Sequence, residues 1–247
     1  MRYSTSIHTF KNQRKDNEDS ALALSVEGPG GALALCLCLS DGMGGLHRGA
    51  EASALAVSAA GAKLVELLPS SNNEAACLLA AESATLAANN AVLALSQRTG
   101  ESCGATLALA FCLPDGTCAA ANAGDSDICL ISKSGLTLLS HSHSYAKLLV
   151  DQGKITETEA LSHDGKGTLL EHLGKSDLSF HSRLAKLNPG DRLALMSDGA
   201  RSLFSGSELF KMLDGKKIEK WADVLFKAGR GLGEEDNQTL AAALVLR

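Results

Sequence analysis

The sequence predicts an α+β fold with strands and helices kept in separate regions. Two long alanine-rich stretches with helical character, residues 46–68 and 73–98, stand between one pair of apolar strands and a later run of closely spaced strands. Regular βαβ alternation would place one helix between each strand and the next, and there is no repeat of fixed period. With 247 residues, only four prolines and no low-complexity tract, residues 1–247 are expected to form a single domain.

The elements follow in order. Residues 21–25 (ALALS) and 32–40 (ALALCLCLS) read as strands joined by a turn over residues 27–31, Glu-Gly-Pro-Gly-Gly. The second strand is apolar at nearly every position, which suits a strand covered on both faces. Helix 46–68 contains no proline until Pro69 stops it, and helix 73–98 ends at Thr99-Gly100. Strands are then predicted at 104–113, 117–123, 127–132 and 136–140, punctuated by Pro114-Asp115-Gly116, Gly124-Asp125 and Ser134-Gly135. Short helices are expected at 144–152 and 156–162, and strands at 168–172, 180–187 and 191–197. Helices at 207–213 and 217–230 and a last strand at 238–246 complete the chain.

Composition excludes several classes. A net charge of −5 with scattered basic residues gives no electrostatic reason to bind nucleic acid or an anionic membrane, and 4% aromatics provide no base-stacking platform. No apolar stretch is expected to approach the ~20 residues of a membrane span. The N-terminal MRYSTSIHTFKNQRKDNEDS lacks the apolar core of a signal peptide, so a cytoplasmic protein is expected, with no need for more than a monomer. The seven cysteines, Cys36, Cys38, Cys77, Cys103, Cys112, Cys118 and Cys129, form no C-x-x-C pair and fall mostly in apolar runs. They read as small buried hydrophobes, not as disulfides or zinc ligands.

The acidic residues hold the functional signal. An apolar strand running into Ser-Asp-Gly occurs twice, placing Asp41 and Asp198 at strand ends. Asp125 lies at a third strand end, Asp236 and Asn237 precede the last strand, and Glu18 and Asp19 precede what reads as the first. Asp and Gly favour turns, and Asp115 and Asp164 are read as no more than that. Five such coincidences, if they meet in space, would repel one another unless a cation neutralises them. An all-oxygen donor set without histidine or cysteine suits Mg²⁺ or Mn²⁺. Gly42, lacking a Cβ, would let its own carbonyl approach such an ion. The glycine run GMGG is neither G-x-G-x-x-G nor a P-loop, and no calcium-binding loop pattern is present.

In order along the chain, RKDNEDS, SDGMGG, GAEAS, CGATLALA, ANAGDS, SHS, VDQGKIT, LNPGDRLALMSDGA and EDNQT resemble the metal-dependent protein phosphatases of type 2C (the PPM family), compact bacterial members included, over residues 10–246. The resemblance implies a four-layer α-β-β-α sandwich with two central antiparallel β-sheets and a metal centre at one end. It implies two Mn²⁺ or Mg²⁺ ions, with a weaker third, and direct hydrolysis of phosphoserine or phosphothreonine in proteins by a metal-activated water. Phosphoproteins made by a serine/threonine kinase would be its substrates. By motif position, Asp41 is similar to the bridging ligand and Gly42 to the carbonyl ligand. Asp198 and Asp236 complete the second site, Glu18 holds metal-bound water, and Asp19 and Asn237 support from behind. Asp125 corresponds to a ligand of the third ion and Arg14 to the arginine that grips phosphate. Segment 144–180 corresponds to a flap beside the cleft.

The chain also departs from that pattern. Met43 stands where some members carry a histidine, Ala50 where glutamate is common, Asp127 where arginine often follows, and Ser142 where aspartate is common. Glu171-His172 replaces a segment that often carries arginine. His47 and the pair His141 and His143 are read as surface, turn or core histidines. A phosphoprotein-binding pseudophosphatase is the alternative reading, against which the joint presence of Arg14, Asp41, Asp198 and Asp236 speaks.

Overall fold

The architecture follows from which face of each strand carries bulk. A computed structural model describes residues 1–27, 33–43 and 48–247. Among these, ten strands form two five-stranded antiparallel sheets. One sheet has the order β1 (Arg2–Phe10), β10 (Gln238–Leu246), β9 (Arg192–Met196), β6 (Asp127–Ser132) and β7 (Gly135–Leu138). The other has the order β2 (Asp19–Glu27), β3 (Leu33–Asp41), β4 (Leu107–Cys112), β5 (Thr117–Ala123) and β8 (His181–Lys186).

Strand β3 shows how the layers are encoded. Leu35, Leu37 and Leu39 point between the sheets and pack with Leu193, Leu195 and Ala243. Its alternate residues Ala34, Cys36 and Cys38 point the other way, toward α1 (Gly49–Leu67) and α2 (Glu74–Thr99). Side chains alternate across a strand, so one nearly continuous apolar run serves two cores. The helices answer with small residues: Ala52, Ala56 and Ala60 from α1, and Ala80, Ala84 and Ala88 from α2, all buried. Small side chains on both sides let the helices lie close to the sheet.

The outer face of the other sheet is covered by α5 (Asp198–Arg201), α6 (Gly206–Leu213) and α7 (Trp221–Gly231). There Trp221 is fully buried against Ile131, Met196 and Leu225, and its indole Nε1 donates to the Leu213 carbonyl at 3.1 Å. The layers therefore run α-β-β-α, as expected. All seven cysteines are buried and unpaired; Cys112 and Cys118 face each other across β4 and β5 with their sulfurs 3.4 Å apart.

Several expectations need correction. The first strand is β1, not the one after Glu18; its sequence RYSTSIHTF is mostly polar and mostly exposed, as suits the edge of a sheet, and this hid it. No strand forms at 168–172: isolated bridges Ser144↔Leu169 and Ala105↔Leu173 stand in its place, and Gly174 at φ 97° turns the chain. Segment 144–180 otherwise carries α3 (Tyr145–Asp151) and α4 (Glu157–Ala160), near the helices expected there. The helix expected at 217–230 begins as a 3₁₀ turn, Ile218–Lys220, before α7. Strand 104–113 starts only at Leu107, and Thr106 is left facing the cleft described below. By length and composition alone, Gly49–Ser70 and Glu74–Thr99 could each cross a bilayer, contrary to expectation; here both pack an alanine face on the sheet. The turn at 28–31, Ala32, the glycines after Met43, and Leu46 and His47 lie outside the described residues.

Leu37 is fully buried at the centre of the inter-sheet layer. Leu37→Ala should cost about 2–5 kcal/mol of stability, read as a lower midpoint in urea denaturation.

Candidate active site

Five chain segments that end or begin strands meet at one end of the two sheets. A cleft of about 270 Å³ there is lined by Arg14, Glu18, Asp41, Gly42, Asp125, Asp198, Asp236 and Asn237. All of the acids singled out in the sequence are thus brought together, Asp19 lying buried just behind them. Thr106, Met43, Gly167 and Leu169 complete the wall, the last two from segment 144–180.

The ladders explain the meeting. Asp19 and Asp41 are direct cross-strand partners at the end of the β2–β3 ladder. Like charges directly opposite are unfavourable in a sheet, so this pair alone implies a compensating cation or proton. Asp41 is close enough to Asp19 and Asp198 for the three carboxyls to influence one another's protonation. One oxygen of Asp19 and one of Asp198, each Oδ1, is buried without a hydrogen-bond partner.

Neutral hydroxyls fix the acids in place. The serine of each Ser-Asp-Gly ties its strand to a neighbour: Ser40 Oγ donates to the Thr106 carbonyl at 2.6 Å, and Ser197 Oγ donates to Asp19 Oδ2 at 2.9 Å. Thr106 Oγ1 accepts from the Asp41 amide at 2.9 Å and lies 2.7 Å from Ser126 Oγ, linking the turn that carries Asp125 to Asp41. Asn237 organises the loop before β2. Its Oδ1 accepts from the Glu18 amide at 2.9 Å, and its Nδ2 donates to the carbonyls of Lys11 at 2.8 Å and Asp16 at 3.1 Å. Arg14 on that loop donates from Nη2 to Asp236 Oδ2 at 2.6 Å, with the guanidinium half exposed to solvent.

Gly42 is required for a reason the sequence did not reveal. A Cβ there would stand 2.2 Å from the carbonyl oxygen of Gly49 and 2.8 Å from that of Glu18. The missing side chain lets the start of α1 close over the end of β3, while the Gly42 amide donates to the Glu18 carbonyl at 3.0 Å.

Burial is the first cause of the acids' unusual protonation, and their mutual repulsion the second. Together they push Asp41 and Asp125 well above the ordinary carboxylate value, raise Asp198 in the same direction, and raise Asp19 to about 6. Glu18 is raised by burial too, partly offset by Arg14. Among the described residues no three acid, histidine or cysteine side chains are drawn to a single point as they stand. The donor set nevertheless fits a hard divalent cation: crowded carboxylates, an adjacent backbone carbonyl, and buried oxygens with nothing to bond.

The sequence model for protein phosphatase 2C matches residues 12–245. The chain belongs to the protein phosphatase 2C family. No curated protein matches it in sequence. Among solved structures it is similar to the serine/threonine phosphatase PstP/Ppp of Mycobacterium tuberculosis, with a TM-score of 0.85, 26% identity and 99% of each chain covered. It is also similar to the S. agalactiae serine/threonine phosphatase, with a TM-score of 0.82, 27% identity, and 99% of this chain and 100% of that one covered. A third match is the catalytic domain of PstP in complex with two manganese ions, with a TM-score of 0.81, 25% identity and 99% of each chain covered. The family and these neighbours are serine/threonine protein phosphatases of the metal-dependent class.

Sequence reasoning missed Thr106, Ser126 and Ser197 as supports of the site; the repeated serine in Ser-Asp-Gly was a visible sign of the last. Asp127, noted only as a departure, pairs with Arg201 on α5. His143 is tied by Nδ1 to the backbone of Gly124, and Ser142 Oγ contacts Ser144 Oγ at 3.1 Å, so both serve local structure. Glu171 pairs with Lys175 at 2.9 Å, and Ala50 is exposed on the first turn of α1.

The raised acids set the pH dependence of the metal-free fold. A carboxyl raised from 3.8 to about 6 on folding binds more protons in the native than in the unfolded state. Its contribution is therefore fully present below pH 4 and lost as pH rises through 6. With chelator present, stability should fall between pH 4.5 and 7 more steeply in the wild type than in Asp19→Asn, measured as urea midpoints at each pH.

Proposed function

We propose that the chain hydrolyses phosphoserine and phosphothreonine in proteins, using two Mn²⁺ or Mg²⁺ ions with a weaker third. The observation that carries this reading is the convergence of Glu18, Asp41, Asp125, Asp198 and Asp236 on one cleft beside Arg14. Membership in the protein phosphatase 2C family supports it. When bound, such ions supply a nucleophilic water at neutral pH and offset charge on the phosphoryl oxygens.

The chain's own residues divide the remaining work. Asp41, the Gly42 carbonyl, Asp198 and Asp236 would hold the two ions, with Glu18 holding water beside them and Asp19 supporting from behind. Asp125 would serve the third. Arg14, half exposed at the cleft with Nη2 on Asp236, offers a planar, permanently charged fork whose remaining donors can meet the phosphoryl group. The Asn237 contacts tether the loop that carries Arg14 and Glu18 beside the cleft. Met43 lines the cleft but has no proton to give to the leaving serine oxygen. We infer that residues 1–247 act as one catalytic domain, with segment 144–180 as a flap that contacts the substrate beside Gly167 and Leu169.

Phosphate release from a phosphothreonine peptide should require Mn²⁺ and stop with chelator. Asp41→Asn and Asp198→Asn should each lower kcat by at least ~100-fold. Peptide binding without any phosphate release by the wild type would instead favour a pseudophosphatase. Arg14→Ala should raise KM for the phosphopeptide roughly 10- to 100-fold with a smaller effect on kcat, and an unchanged KM would remove Arg14 from the phosphate site.

A further inference from the structure

The ion pair of Arg201 with Asp127 is unlike the others among the described residues. Its side chains are 13% and 11% exposed, whereas both partners of every other pair are more than a fifth exposed. Arg201 Nε lies 2.8 Å from Asp127 Oδ2, in ion-pair contact but not aligned as a hydrogen bond. Each partner has a second anchor: Asp127 Oδ1 accepts from Ser140 Oγ at 2.8 Å, and Arg201 Nη1 donates to the carbonyl of Phe204, a core residue. Desolvating two charges is costly, so a buried pair is better explained by what it holds in place than by net stability.

What it holds is visible in the register. Asp127↔Met196 is the last rung of the β6–β9 ladder on the cleft side. Counting two residues outward from that rung along each strand gives Asp125 and Asp198. Residues 124–126 also cross from one sheet to the other, because β5 and β6 belong to different sheets. Beyond the rung, no β6–β9 ladder bond fixes the two acids relative to each other. Arg201, three residues after Asp198, reaches back to Asp127, two residues after Asp125. A second cavity of about 150 Å³ is lined by all four residues, Asp125 and Asp198 being shared with the main cleft.

We propose that Arg201 and Asp127 are positioning residues: their ion pair clasps the Asp125 turn to the Asp198 helix and sets the spacing of those two acids, and so the affinity of the cation that depends on Asp125. This inference rests on the metal-dependent reading above and deepens it. The clasp acts through backbone position and does not touch the substrate. Breaking it should weaken the Asp125-dependent cation most, with a smaller effect on the ions that Asp41 and Asp236 hold together with Asp198.

The test is a Mn²⁺ titration of the full chain by calorimetry, with thermal melts and phosphopeptide kinetics on the same samples. Asp125→Ala first identifies which binding step depends on Asp125. Arg201→Met should weaken that step at least tenfold and change the tighter steps by a clearly smaller factor. It should lower kcat and leave KM for the phosphopeptide unchanged. Asp127→Asn, a smaller change that keeps the fold if Arg201→Met does not, should shift the same step in the same direction. The double variant Asp127→Arg with Arg201→Asp should recover most of the loss. A lowered melting temperature with a wild-type Mn²⁺ isotherm in both single variants would overturn the clasp while leaving the phosphatase reading intact. Loss of all Mn²⁺ steps together in folded Asp127→Asn would also overturn it. A wild type that binds no Mn²⁺ would instead overturn the underlying reading, and the clasp with it.

Discussion

Two carboxylates facing each other across a ladder, Asp19 and Asp41, set the terms for everything around them. A sheet does not gather like charges at its end without a counter-charge, and here three more acids arrive from other strands. The surrounding structure is a means of tolerating that crowding. Serine and threonine hydroxyls grip the neighbouring strands, a glycine admits the start of a helix, and an arginine pairs with Asp236. The acids are consequently held where repulsion would otherwise drive them apart, ready for a hard cation to relieve it.

The sandwich gives this arrangement its rigidity. Each acid sits at the end of a strand whose side chains pack between the sheets on one face and against helices on the other. Strand ends that are anchored so firmly cannot relax by bending outward. Strain from like charges is therefore borne in the protonation of the carboxyls, raised by burial and by one another, and not in the path of the backbone.

Much of this could be read in the chain before any coordinates. The leucine alternation of residues 33–41 and the long alanine helices announced the layers, and the recurrence of Asp at strand ends announced the cleft. What escaped notice has physical reasons. Strand β1 has a polar, solvent-facing sequence, and an edge strand buries too little to leave an apolar signature. Thr106 and Ser126 look like ordinary small polar residues, and only the contact between their strands gives them a role. The Arg201–Asp127 pair spans 74 positions, so neither residue carries a local sign of its partner. Gly42 was singled out for having no Cβ, yet the atom that would collide belongs to a helix that begins at Gly49.

The thiols offer one further consequence. Cys36, Cys38, Cys77 and Cys103 lie between sheet and helices on one side, Cys112 and Cys118 between the sheets, and Cys129 under the helices of the opposite side. Burial pushes Cys36 and Cys77 up to about 12, so they are inert as thiolates while the core is closed. Every internal interface thus contains a native reporter group that reacts only after its own layer has parted, and the order in which the seven are modified would chart how the molecule comes undone.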